Sequence, residues 1–177
     1  MRIIAGSRKG HTIHAPRGRD TRPTSDRVRE NIFNLIGPVD GASVLDVYAG
    51  SGAMGLEALS RGAVRAVFVE SDRDAVRAIE RNLAKLRLGG TVLARDVVTA
   101  LAAEGAAGRK YDLVLIDPPY DEYMHIQEQL ARYVPSILGE HALVVVETAA
   151  RLEPELPLAY RTSRKYGRTR VTIYETP

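Results

Sequence analysis

The chain has 177 residues, 45% of them hydrophobic and 27% charged, and it contains no cysteine. That length suits one domain with a full core. The missing thiols exclude a disulfide framework, a thiolate metal site and the covalent cysteine adduct by which a pyrimidine C5 is usually methylated. The net charge of +3 conceals a gradient: residues 1–30 hold eight Lys/Arg against three acids, residues 151–177 hold six against three, and the middle is acidic. A basic head and tail on an acidic body imply a polyanion held by the ends while chemistry proceeds at the centre. No apolar run reaches the roughly 20 residues of a bilayer span. Met1-Arg2-Ile3-Ile4-Ala5-Gly6 lacks the apolar stretch of a signal peptide, so the chain reads as cytoplasmic. Nothing in it marks an apolar patch for self-association, which leaves a monomer as the default.

Residues 2–15 predict a β-hairpin, with strands at 2–5 and 12–15 and with Arg8 and Lys9 at the tip. Pro16-Arg17-Gly18-Arg19-Asp20-Thr21-Arg22-Pro23 follows as a basic loop punctuated by Gly and Pro. Thr24 or Ser25 caps a helix over about 25–36, whose apolar stripe is Val28, Ile32 and Leu35/Ile36, and Gly37-Pro38 ends it. Arg22, Arg27 and Arg29 crowd the start of that helix, where cations oppose the macrodipole; their presence implies an anionic partner. Arg8, Lys9, Arg17, Arg19, Arg22, Arg27 and Arg29 are therefore the candidate polyanion-binding set, the RNA-binding set if that polyanion is RNA. Residues 1–38 form this basic extension and residues 39–177 the main domain.

From residue 43 strands and helices alternate. Strands fall at 43–48, 65–70, 91–95, 111–117 and 141–148, and helices near 53–62, 73–87, 97–104 and 123–138. A loop covers 105–110, and an antiparallel pair at 158–166 and 169–176 turns at Gly167. This is an α/β fold: a doubly wound, mostly parallel, seven-stranded Rossmann-like sheet with a small amino-terminal hairpin and helix. The four histidines (His11, His14, His125 and His141) have no metal-ligand spacing, so no metal is expected.

Two stretches carry chemistry. Val44-Leu45-Asp46-Val47-Tyr48-Ala49-Gly50-Ser51-Gly52-Ala53-Met54-Gly55 runs from the first strand through G-x-G-x-x-G into a helix. Tyr48, Ala49, Gly50, Ser51, Gly52 and Gly55 are expected to cradle a nucleoside cofactor. Asp46, inside the strand, suits a cationic amino-acid ligand better than a pyrophosphate, and the loop lacks the basic residue of a P-loop. Glu70 closes the second strand, where an acid accepts both ribose hydroxyls. Asp96, past the third strand, is placed to accept from an adenine amine, with capping of the next helix as its alternative role. Asp72 is the expected cap of the helix at 73.

The second stretch is Leu113-Val114-Leu115-Ile116-Asp117-Pro118-Pro119-Tyr120, a buried strand stopped by two prolines. Its exit presents the Asp117 carboxylate, the Pro118 carbonyl, a chain stiffened by Pro119 and the ring of Tyr120. Two acceptors and a platform suit a planar group bearing an NH2. A strand end whose Asp caps a helix and whose Tyr packs on it is the plainer alternative.

Asp117-Pro118-Pro119-Tyr120 resembles motif IV of the amino-methyltransferases, and the order of glycine loop, acids and this tetrapeptide resembles a class I methyltransferase. Arg2 to Gly6, Lys9-Gly10, Thr21 to Asn34 and Asp46 to Gly62 (DVYAGSGAMGLEALSRG) are similar to the RsmD family of ribosomal RNA guanine-N2 methyltransferases. The resemblance implies S-adenosylmethionine as methyl donor, S-adenosylhomocysteine as product, and Asp117 touching donor and target alike. It implies as substrate the N2 of one guanine in 16S ribosomal RNA (rRNA position 966), within a small-subunit or precursor particle. DNA-adenine and protein-glutamine methyltransferases use a similar tetrapeptide, but a chain this short has no separate DNA-recognition domain. An NAD(P)-dependent oxidoreductase shares the fold and glycine loop without a use for the tetrapeptide or the basic head. A pure RNA-binding module leaves the acids at three strand ends without purpose.

Overall fold

Residues 1–16 and 25–177 are described by the structure, a computed structural model. Short runs of Val, Leu and Ile flanked by Gly, Asp and Pro become strands, and the intervening stretches become helices. In chain order these are α1 (Asp26–Ile36), β1 (Ser43–Val47), α2 (Ala53–Ser60), β2 (Arg65–Glu70), α3 (Arg73–Leu86) and β3 (Thr91–Ala94). Then follow α4 (Val97–Ala106), β4 (Tyr111–Ile116), α5 (Tyr123–Tyr133), β5 (Leu138–Ala149), β6 (Ala159–Tyr166) and β7 (Thr169–Glu175).

The strands form one sheet in the order β3-β2-β1-β4-β5-β7-β6. β1 lies parallel to β2 and β4, β2 to β3, and β4 to β5, whereas β7 runs antiparallel to β5 and β6. Strand order therefore reverses between β1 and β4, and their diverging carboxyl ends open the crevice where such sheets bind ligands. Side chains alternate across the sheet. Val44, Phe68, Leu113 and Leu115 join the cluster of α1, α2 and α3. Leu45, Val47, Val69, Val114 and Ile116 face α4 and α5. Ile3, Ile13, Val28, Ile32 and Phe33 lie in the first cluster, so the described part of the amino-terminal segment shares the core of the sheet.

The predicted hairpin over 2–15 is present in short form: the Arg2–Thr12 antiparallel bridge is flanked by backbone bonds from Ile3 to the His11 carbonyl, Gly10 to the Ile3 carbonyl and Ile13 to the Met1 carbonyl, around a 3-10 turn at Gly6–Arg8. Pairing stops short of the predicted strand end: the N–H groups of Ile4 and Ala5 donate to the buried carboxylate of Glu57 at 2.9 and 3.0 Å. The helix predicted over 123–138 stops at Tyr133 and becomes a 3-10 turn, Val134–Ile137, because Pro135 cannot donate to an α-helical ladder. β5 consequently starts at Leu138, earlier than its apolar run suggests. Ser25 caps α1 by accepting from the Val28 N–H at 3.2 Å; Thr24, the other candidate, lies outside the described residues. Among the described residues no helix is long and apolar enough to cross a membrane.

Candidate active site

The chain leaves β1 through a turn that repeatedly enters the left-handed region, with φ of 61° at Tyr48, 56° at Gly50 and 79° at Gly52. A side chain at Gly50 would meet nothing within 4 Å, so the backbone there is open to a ligand. The third glycine serves packing instead. A Cβ on Gly55 would sit 2.4 Å from the Phe68 ring, so only glycine lets α2 lie this close to β2. Gly52 is the N-cap of α2 and has no side chain to satisfy its first amides. Asp46 takes over that task from the sheet below, its Oδ2 accepting the Gly55 N–H at 2.9 Å.

Glu70 is buried at the end of β2 and splits its carboxylate. Oε2 accepts the Gly50 N–H at 2.9 Å and Oε1 the Asp72 N–H at 2.8 Å, joining the glycine turn to the start of α3. Asp72 caps that helix as expected, accepting from Asp74 and Ala75. Ser51 is buried too, and its carbonyl accepts from the Asn82 side-chain amide of α3 at 2.9 Å.

β4 feeds Asp117 into the same crevice, and the Asp117 N–H donates to the Val47 carbonyl at 3.4 Å. Burial pushes the Asp46 carboxyl up to about 8; the Gly55 N–H opposes this, while the charges of Asp117 and Glu70 push it further up. The acids at the ends of β2 and β4 thus lie near enough to Asp46 of β1 to act on its carboxyl. Beyond Asp117, Pro118 is buried and Pro119 exposed. Tyr120 is 37% exposed, with its hydroxyl 2.8 Å from the Thr169 hydroxyl of β7. On the other rim, burial raises the Tyr48 hydroxyl, as do the charges of Glu122, Asp96 and Glu70. Asp96 is exposed and caps α4 through the Thr99 N–H at 2.9 Å. Hydrogen bonds from Thr99 hold its carboxyl below the ordinary range.

Three acidic side chains near an open glycine turn, with no basic side chain between Tyr48 and Gly55, disfavour a pyrophosphate and suit a cation, whose charge draws Asp46 into its ionised form. A sulfonium bearing an amino-acid group on an adenosine matches this donor set, so the residues fit S-adenosylmethionine.

The structure divides the proposed RNA-binding set. Lys9 and Arg27 are exposed, while Arg17, Arg19 and Arg22 lie outside the described residues. Arg8 sits in the hairpin turn but is half-buried rather than free; its Nε donates to the Leu86 carbonyl at 2.5 Å, at the end of α3. Arg29 requires a correction. It is fully buried, with Nε 3.4 Å from Glu57 and Nη2 3.0 Å from Asp26, and Nη2 also donates to the Arg2 carbonyl. The anion implied by a cation at this helix start is therefore a carboxylate of the protein itself. Glu57, Asn82, Glu122 and Thr169 are residues that sequence reasoning passed over. Only Asn82 left a local signal, as a polar residue on the apolar stripe of Ala75, Ala78, Ile79, Leu83 and Leu86.

Comparison with known proteins bears on this geometry. The model of a family described as conserved hypothetical protein 95 matches residues 1–175. The chain is 37% identical over 188 residues to the putative rRNA methyltransferase YlbH of Bacillus subtilis, covering 99% of this chain and 98% of that protein. It is 37% identical over 155 residues to ribosomal RNA small subunit methyltransferase D of Escherichia coli, covering 84% of this chain and 74% of that protein. A solved structure titled putative methyltransferase yhhF, from Escherichia coli, superposes with a TM-score of 0.88 at 33% identity, covering 99% of this chain and 97% of the other. Matched over nearly its whole length, the chain belongs to the conserved hypothetical protein 95 family, in which the small-subunit ribosomal RNA methyltransferases D also fall.

Proposed function

We propose that this chain transfers a methyl group from S-adenosylmethionine to the exocyclic N2 of one guanine in 16S ribosomal RNA, within a small subunit or its precursor. The observation that carries the reading is the meeting of Asp46, Glu70 and Asp117 at the crevice between β1 and β4, with Pro118, Pro119 and Tyr120 at its mouth. The names of the relatives, rRNA methyltransferases, supply the class of substrate.

When bound, S-adenosylmethionine supplies an electrophilic methyl carbon on a sulfonium. Tyr48, Ala49, Gly50, Ser51 and Gly52 form the turn that receives it, Gly55 keeps α2 close beneath, and Asp46 stabilises that helix start. Glu70 accepts the ribose hydroxyls through its remaining lone pairs while holding the Gly50 amide, and Asp96 accepts from the adenine amine.

Guanine N2 is a poor nucleophile because its lone pair is delocalised into the ring. The Asp117 carboxylate and the Pro118 carbonyl accept its two hydrogens, which turns the lone pair towards the reacting carbon. Pro119 fixes the backbone that aligns them, and alignment of this kind supplies up to about 7–11 kcal/mol of a barrier. Tyr120 stacks on the unstacked base, an interaction worth about 1–3 kcal/mol. The surplus proton passes to Asp117 or onward to water.

The test is incorporation of labelled methyl from S-adenosylmethionine into unmethylated small-subunit RNA, followed by nucleoside mass spectrometry and mapping. N2-methylguanosine at one position is the expected product. Label in another nucleoside, or none from protein that binds the donor, refutes the assignment.

A further inference from the structure

Helix α3 carries Arg73, Arg77, Arg81 and Lys85 at successive steps of four residues, all exposed. Such a row lies on one face with neighbours about 5–6 Å apart, and like charges at this spacing destabilise a helix by a few tenths of a kcal/mol per pair. One acid relieves the row: Asp74 pairs with Arg77 at 3.3 Å, both exposed. Glu80 is the other acid of the helix. Among the described residues, Arg73, Arg81 and Arg87 have no carboxylate within ion-pair distance. Arg87 extends the row past the helix end in a left-handed conformation, φ 51° and ψ 48°, at the position where glycine is the favoured residue. Repulsion and strain are thus accepted along a single face.

The chain from Arg8 to Pro16 runs beside this row. His14 exchanges hydrogen bonds with Asn82, its N–H donating to Oδ1 at 2.7 Å and its carbonyl accepting from Nδ2 at 2.9 Å. Lys85 reaches back to the Thr12 carbonyl at 2.7 Å. The seam opens into two hollows. His14 and Pro16 face Arg77 and Arg81 across one. Arg8 and His11 face Lys85 and Arg87 across the other.

We infer that this face of α3, with the seam beside it, is a docking surface for the phosphodiester backbone of folded RNA, remote from the target base. The inference rests on the proposed RNA substrate. α3 begins three residues after Glu70, so the row starts beside the crevice and extends for about 18 Å along the helix. Regular cations without an apolar anchor suit a chain of phosphates, whereas protein partners seat on aromatic or aliphatic hot spots. The exposed large hydrophobic residues among those described are Val64, Tyr120, Met124 and Tyr160, none of them on α3.

The experiment compares the full chain with an R73Q/R81Q/R87Q variant and with an R65Q/K110Q/R132Q control that loses the same charge at the start of β2, ahead of β4 and on α5, outside the basic head and tail. Affinity for small-subunit ribosomal RNA is measured across a salt series, beside the dissociation constant for S-adenosylmethionine. The first variant should flatten the salt slope by about two to three, near 0.7–0.9 for each phosphate that is no longer neutralised. Its KM for RNA should rise at least tenfold, with kcat and donor affinity held. The control should keep a slope near that of the parent. An unchanged slope in the first variant overturns the inference and turns attention to an acidic protein partner; equal flattening in the control also overturns it, by reducing the effect to net charge. Failure of the parent chain to methylate RNA refutes the substrate reading and is read separately from these slopes.

Discussion

With its carboxyl raised to about 8, Asp46 is about nine-tenths protonated at pH 7 in the ligand-free protein. A cationic donor favours its ionised form. Binding should therefore expel close to one proton at pH 7 and about half a proton at pH 8. Donor affinity should rise by up to tenfold per pH unit between 6 and 8, then level. Isothermal titration in two buffers of different ionisation heat counts the protons directly. Asp46→Asn keeps an acceptor for the Gly55 N–H without a titrating group, so its trace gives the ligand's own contribution. Stability carries the same signature with a definite sign. The folded pKa lies above the unfolded value of 3.8, so the folded state holds an extra proton between roughly pH 4 and 8. Its stabilising effect is complete below that window and is lost as pH rises through it, by at most about 1.4 kcal/mol per pH unit. The melting temperature of the parent chain should fall across the window more steeply than that of Asp46→Asn. Equal proton release by both proteins, or a donor affinity flat from pH 6 to 8, would refute the shared electrostatic site.

Asp117→Ala should leave the donor dissociation constant within a few-fold and cut single-turnover methyl transfer by about 10²–10³, the usual cost of one lost positioning or charge-stabilising group; transfer at the parental rate would remove Asp117 from the mechanism. Tyr120→Phe loses the Thr169 hydrogen bond and keeps the ring, so its KM for RNA should stay close to the parent's. Tyr120→Ala should raise that KM by the equivalent of about 1–3 kcal/mol, and equal values for the two variants would rule out stacking. Arg29→Met should destabilise the fold, by denaturant titration, towards the lower end of the about 3–5 kcal/mol for a broken buried pair, because Arg61 and two amides still serve Glu57. Loss of RNA affinity without loss of stability would return Arg29 to the RNA-facing set.

What the sequence disclosed follows the range of the interactions involved. Strands β1, β2 and β4 were legible because a buried parallel strand is an apolar run, and the glycine turn and Asp117-Pro118-Pro119-Tyr120 because their geometry is set within a few residues. The Asp72 and Ser25 caps were legible for the same reason. Arg29 was not. A cation against the macrodipole announces an anion, but nothing local says whether that anion is a phosphate or Glu57, 28 residues on in another helix. The hairpin was legible only in part, since residues 2–5 specify extended chain and leave open that Glu57, rather than the opposite arm, takes the N–H groups of Ile4 and Ala5. The raised carboxyl of Asp46 needed the sheet, because it depends on how deeply β1 is covered and on acids brought in by two neighbouring strands.

The support beneath the site also limits how the amino-terminal segment can act. Asn82, fully buried in α3, holds the Ser51 carbonyl with the same amide that holds His14. Glu57, in the helix that the glycine turn begins, holds Ile4, Ala5 and Arg29. The described part of the basic head is thus fastened to the two helices that frame the turn, through buried groups that lose a partner if it swings away. A surface for RNA built on this segment and α3 is therefore fixed in distance from the crevice. On the docking surface inferred above, an RNA backbone seated along α3 would lie at a set distance from the crevice. A substitution that frees the segment, such as Asn82→Ala, should blur the methylated position in mapping, while one that only removes charge should not.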